Sequence, residues 1–204
     1  MSKSGKRRLE QQPSTRHFRV IFLTGAAVIL AIYAAALWRG AHRPAPTIAF
    51  DGLLNTQGRV LDAGAFDHRY KLVFFGFTGC AAVCPMTLVK LRSVLNTIEP
   101  QNRPLTPLFV TLDPEHDQPN VLKSYIEAID ARVIGVTGDR QRIDQLAETL
   151  GAIFVRHPET TGPLALDHSA RLYLLDPDNR LLTSYEAEEA ATAIAADLLR
   201  QIRG

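Results

Sequence analysis

The sequence has 204 residues, 46% of them hydrophobic, with two cysteines and a formal net charge of +2. Less an N-terminal segment described below, it suffices for one domain with a sizeable core and no disulfide staples, so the cysteine pair calls for a chemical explanation. The charge is divided: residues 1–43 carry +7 and residues 44–204 carry −5, which excludes the basic folded surface a nucleic-acid binder needs.

Residues 1–19 form a basic tail containing Lys3, Lys6, Arg7, Arg8, Arg16 and Arg19. Residues 20–38 then run for nineteen positions without a charge. As a helix this segment reaches about 28 Å, close to the roughly 30 Å of a bilayer's hydrocarbon core. The basic residues before it place the N-terminus in the cytoplasm and the rest of the chain outside, and Tyr33 and Trp38 suit the far interface. The rival reading is a cleaved signal peptide with Ala34-Ala35-Ala36 as its processing site, although the apolar part of such peptides is shorter, about 7–15 residues. Residues 39–47 are a Pro-containing linker. Either reading exports the domain at residues 48–204.

Within that domain, residues 48–61 look like a short extension, with Gln57-Gly58-Arg59 as a turn between two strand fragments. Lys71–Phe77 is a continuous apolar run of strand length. Pro85 suits the first turn of a helix that reaches about Ile98, with Leu88, Leu91, Leu95 and Ile98 on one face. Leu108–Leu112 is a second strand, followed by a loop at Asp113–Pro119 and a helix whose apolar face carries Val121, Leu122, Tyr125, Ile126 and Ile129. Arg132–Thr137 is a third strand, and Asp139 caps the next helix. Ile153–Arg156 is a short strand and His157–Asp167 a loop. Arg171–Leu175 and Leu181–Tyr185 flank Asp176-Pro177-Asp178-Asn179 as a hairpin, and Ile194, Leu198 and Ile202 mark a last helix. Strands alternating with helices predict an α/β fold with a mixed central sheet covered on both faces, ending in a thioredoxin-like hairpin and helix.

Cys80 and Cys84 follow the first central strand, at the end where open α/β sheets build their sites. The nearby helix N-terminus is expected to lower the Cys84 thiol pKa. Thiolates are soft ligands that select Cu(I), zinc or iron–sulfur centres. A thioredoxin redox motif has two residues between its cysteines; here there are three, a spacing at which helical neighbours face the same way. A plain disulfide in an exported domain is the bland alternative, and it would close too short a loop to stabilise much. His168 stands at a strand start facing the cysteine corner. A surface histidine and a third ligand both remain open for it. His68, His116 and His157 are weaker candidates. Asp113 lies in an acidic loop that can approach the site, and Met86, one turn into a helix, reads as core.

These motifs together resemble the Sco/SenC family of copper-binding assembly factors for cytochrome c oxidase, over about residues 51–182. Phe75-Gly76-Phe77-Thr78-Gly79-Cys80-Ala81-Ala82-Val83-Cys84-Pro85 is similar to its FGxTxCxxxCP segment, Asp113-Pro114-Glu115-His116-Asp117 to its DPERD loop, and Asp167-His168-Ser169 to its DHS motif. The departures are Ala81-Ala82 in place of Pro-Asp, His116 in place of Arg and Gln118 in place of Thr. The resemblance implies a thioredoxin-like fold and a copper site, Cu(I) with Cu(II) as its alternative state, ligated by Cys80, Cys84 and His168, with Asp113 and Asp167 as candidate supports behind the ligands. It implies delivery to the CuA domain of oxidase subunit II, other copper chaperones as further partners, and residence on an inner membrane with the domain in the periplasm, or in the intermembrane space of a mitochondrion. The alternative from a different class is a thiol–disulfide oxidoreductase that uses Cys80 and Cys84 as a redox dithiol.

Overall fold

The computed structural model describes residues 25, 28–38, 47–157, 165–168 and 170–202, the side chains of 155–168 excepted. The chain divides into two units, Met1–Pro44 and Ala45–Gly204. In the first, residues 28–38 are helical (α1), with Val28, Ile29, Leu30, Ile32, Tyr33, Leu37 and Trp38 all exposed. Among the described residues no helix is long and apolar enough to cross a membrane. The rest of the apolar segment 20–38, Gly25 apart, lies outside the described residues.

The second unit is built on a six-stranded mixed sheet. Its strands are β1 (Leu54–Asn55), β2 (Tyr70–Gly76), β3 (Leu105–Thr111), β4 (Ile134–Thr137), β7 (Arg171–Leu175) and β8 (Leu181–Glu186). The order is β1-β4-β3-β2-β7-β8. β2, β3 and β4 are parallel, whereas β7, β8 and β1 run antiparallel to their neighbours. The helices are α2 (Val83–Ile98), α3 (Pro119–Glu127), α4 (Arg140–Thr149) and α5 (Ala191–Gln201). Successive side chains of a strand point to opposite faces, and both faces here are covered. Leu72 and Phe74 of β2, Phe109 of β3 and Leu172 and Leu174 of β7 pack with α2, α3 and α5. Val73, Phe75, Leu108, Val110 and Tyr173 pack with Ile143, Leu146 and Ala147 of α4 on the other side.

Several local expectations hold. Asp139 caps α4, its carboxylate accepting from the Arg142 amide at 3.1 Å. The Asp176–Asn179 turn closes the β7–β8 hairpin, with Asn179 in the left-handed region at φ 61°. Lys71, which the apolar run concealed, is fully buried, and its ammonium donates to the carbonyls of Asp176 and Pro177 at 3.1 and 3.0 Å. That bond ties the start of β2 to the hairpin turn.

Three expectations change. β3 begins at Leu105, so it contains Pro107. Pairing with β4 starts only at Leu108, so Pro107 lies where one edge of the strand is uncovered, a position that tolerates a proline. The loop expected at His157–Asp167 includes a strand, β6 (Ala165–His168), paired antiparallel with β5 (Phe154–His157) in a separate two-stranded sheet. Residues 48–61 are more than an extension: Ile48, Phe50, Leu53 and Leu61 are buried against the α4 face of the sheet, because one helix cannot cover that face by itself.

Phe50 is 3% exposed and meets Phe66 edge-on at 5.4 Å between ring centroids. Phe50→Ala is therefore expected to cost about 3–4 kcal/mol, the usual cost of emptying an aromatic core position. Urea unfolding monitored by circular dichroism measures it, and a cost below about 1 kcal/mol would return these residues to the status of an extension.

Candidate metal centre

β2 ends at Gly76, and the turn Phe77–Ala82 leads into α2. Ala82, at the N-cap, makes no side-chain capping bond. The capping role falls to a cysteine: the Cys84 amide donates to Cys80 Sγ at 3.3 Å. Pro85 sits in the first helical turn, where a missing N–H costs nothing because the first four amides have no intrahelical partner. Cys80 is half-buried and Cys84 fully buried, and no disulfide joins them. The bond from the Cys84 amide brings the two cysteines together at this corner.

The electrostatics differ from expectation. Burial pushes the Cys84 thiol far above its ordinary value. Its hydrogen bond with Cys80 and the nearby Asp117 carboxylate add to the rise, and the Phe77 amide opposes it. The helix N-terminus was expected to favour thiolate at Cys84, yet its amide is aimed at Cys80, while Cys84 lies inside the core where desolvation dominates. The space around Cys84 is tight: a Cβ at Gly76 would fall 2.9 Å from Cys84 Sγ and 2.9 Å from the Phe109 ring. Glycine at this strand end is what admits the sulfur.

The turn is held from behind by a residue not singled out from the sequence. Asp117 has no exposed surface. Its carboxylate accepts from the Thr78 amide at 3.0 Å, from the Thr78 hydroxyl and from the Thr111 hydroxyl. Thr111 Oγ1 in turn accepts from the Asp113 amide at 3.0 Å. One carboxylate thus ties the turn after β2 to the end of β3. The signal available in the sequence was a pair of threonines, each just after or at a strand end, facing an acidic loop.

Asp113 is buried, and its carboxylate is engaged by His116 Nδ1 at 2.8 Å. The hydrogen bond and charge of Asp113 raise the pKa of the exposed His116 imidazole. Arg140 of α4 pairs with Glu115 and pins the same loop. His168 is the last residue of β6, with its backbone opposite Phe154. The side chains of His168 and Asp167 lie outside the described residues. Among the described residues no group of three His, Cys, Asp or Glu side chains gathers. Met86, expected in the core, is 72% exposed: two residues beyond Cys84 on a helix, it faces away from the side that Cys84 buries.

The fold and this corner define a class, a thioredoxin-like α/β domain with a Cys-x3-Cys dithiol at the start of a helix. A family model for SCO1/SenC matches residues 42–203, and the chain belongs to that family. It is 32% identical over 153 residues to the mitochondrial protein SCO2 homolog of Bos taurus, covering 74% of this chain and 58% of that protein. It is 37% identical over 114 residues to a putative copper-binding protein of Stutzerimonas stutzeri, covering 55% of this chain and 56% of that one. The chain spans less than two thirds of the length of either. Among solved structures, yeast Sco1 with copper bound matches with a TM-score of 0.70 at 26% identity, over 77% of this chain and 88% of that one. Bradyrhizobium japonicum ScoI with copper bound matches with a TM-score of 0.66 at 26% identity, over 78% and 99%.

Two expected outcomes follow from this geometry. Asp117→Ala strands the Thr78 amide and both hydroxyls, and should lower stability by about 3 kcal/mol in denaturant titration; a loss under about 1 kcal/mol would mean that the clamp is dispensable. In the apo protein at pH 8, iodoacetamide should modify Cys80 at least about tenfold faster than Cys84, because the thiolate is the reacting form and burial keeps Cys84 protonated. Peptide mapping resolves the two sites, and equal rates would show that Cys84 is neither shielded nor held as a thiol.

Proposed function

We propose that this protein is a copper(I) metallochaperone that delivers copper to the CuA centre of cytochrome c oxidase subunit II. The observation that carries the reading is the pairing of Cys80 and Cys84 at the α2 N-terminus, joined by the Cys84 amide on Cys80 Sγ, one half-exposed and the other buried. Two adjacent soft sulfurs suit a thiophilic, low-coordinate ion, and a thiol held protonated by burial gives up its proton when a metal takes its place. Copper in the yeast and Bradyrhizobium relatives supports the identity of the metal. His168 is the proposed third ligand, with Asp167 beside it in β6 and Asp113 as a support for the loop next to the site. Cu(I) is the state that a dithiolate and one imidazole favour, and Cu(II) is the alternative state of the same site.

The proposal includes a membrane anchor at residues 20–38. The exposed apolar side chains of α1 and the basic tail before it support that reading, and the membrane proposed is an inner membrane. The domain then faces the periplasm, or the intermembrane space, where subunit II and other copper chaperones are within reach.

The reduced protein should bind one Cu(I), measured by competition with a chromophoric chelator. Cys80→Ser or Cys84→Ser should abolish tight binding. His168→Ala should weaken it while both thiols can still form a disulfide. Apparent affinity should rise with pH, because protons compete with the metal for Cys84 and its thiol pKa is raised. The accessible Cys80 thiol beside Cys84 also suits thiol–disulfide exchange. If His168→Ala leaves copper affinity and oxidase assembly unchanged while either cysteine variant destroys assembly, the dithiol acts as an oxidoreductase and the copper reading is wrong.

A further inference from the structure

The cysteine corner lies at the C-terminal end of β2. At the other end of the sheet, where β2 and β3 begin, a cavity of about 340 Å³ opens beside the C-terminus of α2. Arg69, Arg103 and Arg132 bring three guanidiniums to its wall, and Glu99 is the one carboxylate among the lining residues. Leu95, Ile98, Leu105 and Pro107 give the wall an apolar side.

The three arginines are not equivalent. Arg132 donates to Asp130 and to Glu99, at 2.6 Å each, so its charge and theirs are matched. Arg69 is fixed by β3: its Nε donates to the Thr106 hydroxyl at 2.7 Å and its Nη2 to the Leu105 carbonyl at 2.6 Å. Both hydrogens on Arg69 Nη1 remain for another acceptor. Arg103 Nε is buried and has no hydrogen-bond partner. Neither Arg69 nor Arg103 forms an ion pair among the described residues. A buried donor of a charged group without an acceptor is costly, and such groups are uncommon enough in native proteins to need a reason. The ordinary use of basic side chains at a helix C-terminus is to bond its last carbonyls. Here the bonds of Arg69 and Arg132 go to β3 and to side chains, which leaves that use unfilled.

We propose that this cavity is a binding site for a small organic monocarboxylate, held by the guanidiniums of Arg103 and Arg69 with its apolar body against Leu95, Ile98, Leu105 and Pro107. A planar pair of oxygens matches the guanidinium fork, and a bond to it satisfies the buried Nε. The Glu99 carboxylate on the same wall disfavours a second negative charge on the ligand, and the apolar side offers an inorganic anion nothing in place of its water. At about 30 Å³ for each water-sized group, the cavity takes roughly ten non-hydrogen atoms. The site uses no residue of the cysteine corner, so it stands whether or not the chain carries copper.

The test titrates the isotope-labelled full chain in detergent with benzoate, a monocarboxylate of this size, and follows the arginine Nε–H resonances by NMR. Inorganic phosphate and neutral benzyl alcohol are the comparison probes. Benzoate should shift the Arg103 resonance saturably at concentrations up to about 10 mM, and Arg103→Met should weaken its binding at least about tenfold, the weight of one hydrogen bond to a charged group. The melting temperature of the Arg103→Met chain without ligand should be unchanged or raised, because an unpaired buried donor has been removed. If that temperature falls instead, Arg103→Lys decides: it keeps the charge and lacks the planar fork, so weakened binding supports the proposal and full benzoate affinity overturns it. No saturable shift with benzoate, or an Arg103→Met chain that binds it as the wild type does, would equally overturn it. Phosphate moving the same resonances as strongly marks a general anion patch, and benzyl alcohol doing so marks an apolar groove; either result ends the carboxylate assignment.

Discussion

Asp117 is a carboxylate without exposed surface whose hydrogen-bonding partners among the described residues are an amide and two threonine hydroxyls, with no lysine or arginine in contact. A buried charge is tolerated only when its hydrogen bonds are made, and here those bonds span the ends of two neighbouring parallel strands. Thr78 lies in the turn that carries Cys80, and Thr111 ends β3. The geometry of the cysteine corner depends on that bridge. Without it the turn between Gly76 and Val83 would lose its side-chain tie to β3 and would be held by the packing of Phe77 and Cys80.

The same constraint sets the chemistry. Holding the turn close to the sheet presses Cys84 into the space left by Gly76, against Phe109, and burial there disfavours the thiolate. A carboxylate nearby disfavours it further. Cys84 is therefore held as a neutral thiol in the apo state and gives up its proton when a cation binds. Burial of Cys84 leaves Cys80 as the accessible sulfur, an arrangement that suits metal binding and thiol–disulfide exchange alike.

Much of the fold was legible in short windows of sequence. The β2 run, the amphipathic faces of α2 and α3, the Asp139 cap and the Asp-Pro-Asp-Asn hairpin are local patterns, and local patterns survive in any tertiary context that permits the element at all. The misjudged elements depended on distant partners. The second strand was expected to start at Leu108, yet the pairing of β3 with β2 begins at Leu105. Phe50 and Leu53 looked peripheral until the α4 face needed covering. Met86 looked like core because helical spacing does not say which side of a first turn is buried when the helix starts two residues before its proline.

By itself the sequence determined the alternation of strands and helices, the Cys-x3-Cys pair at a strand-to-helix corner, and the order of motifs that marks the SCO1/SenC family, since each is written in adjacent residues. Tertiary structure decided which cysteine receives the helix amide, which one is desolvated, and that Asp117 holds their turn from behind. The parallel register of β2 and β3 aligns Phe74 with Phe109 and Gly76 with Thr111. It brings together side chains some 25 to 45 positions apart in the chain, and burial, hydrogen-bond supply and pKa are properties of that assembly, with no trace in the local pattern of any one of its parts.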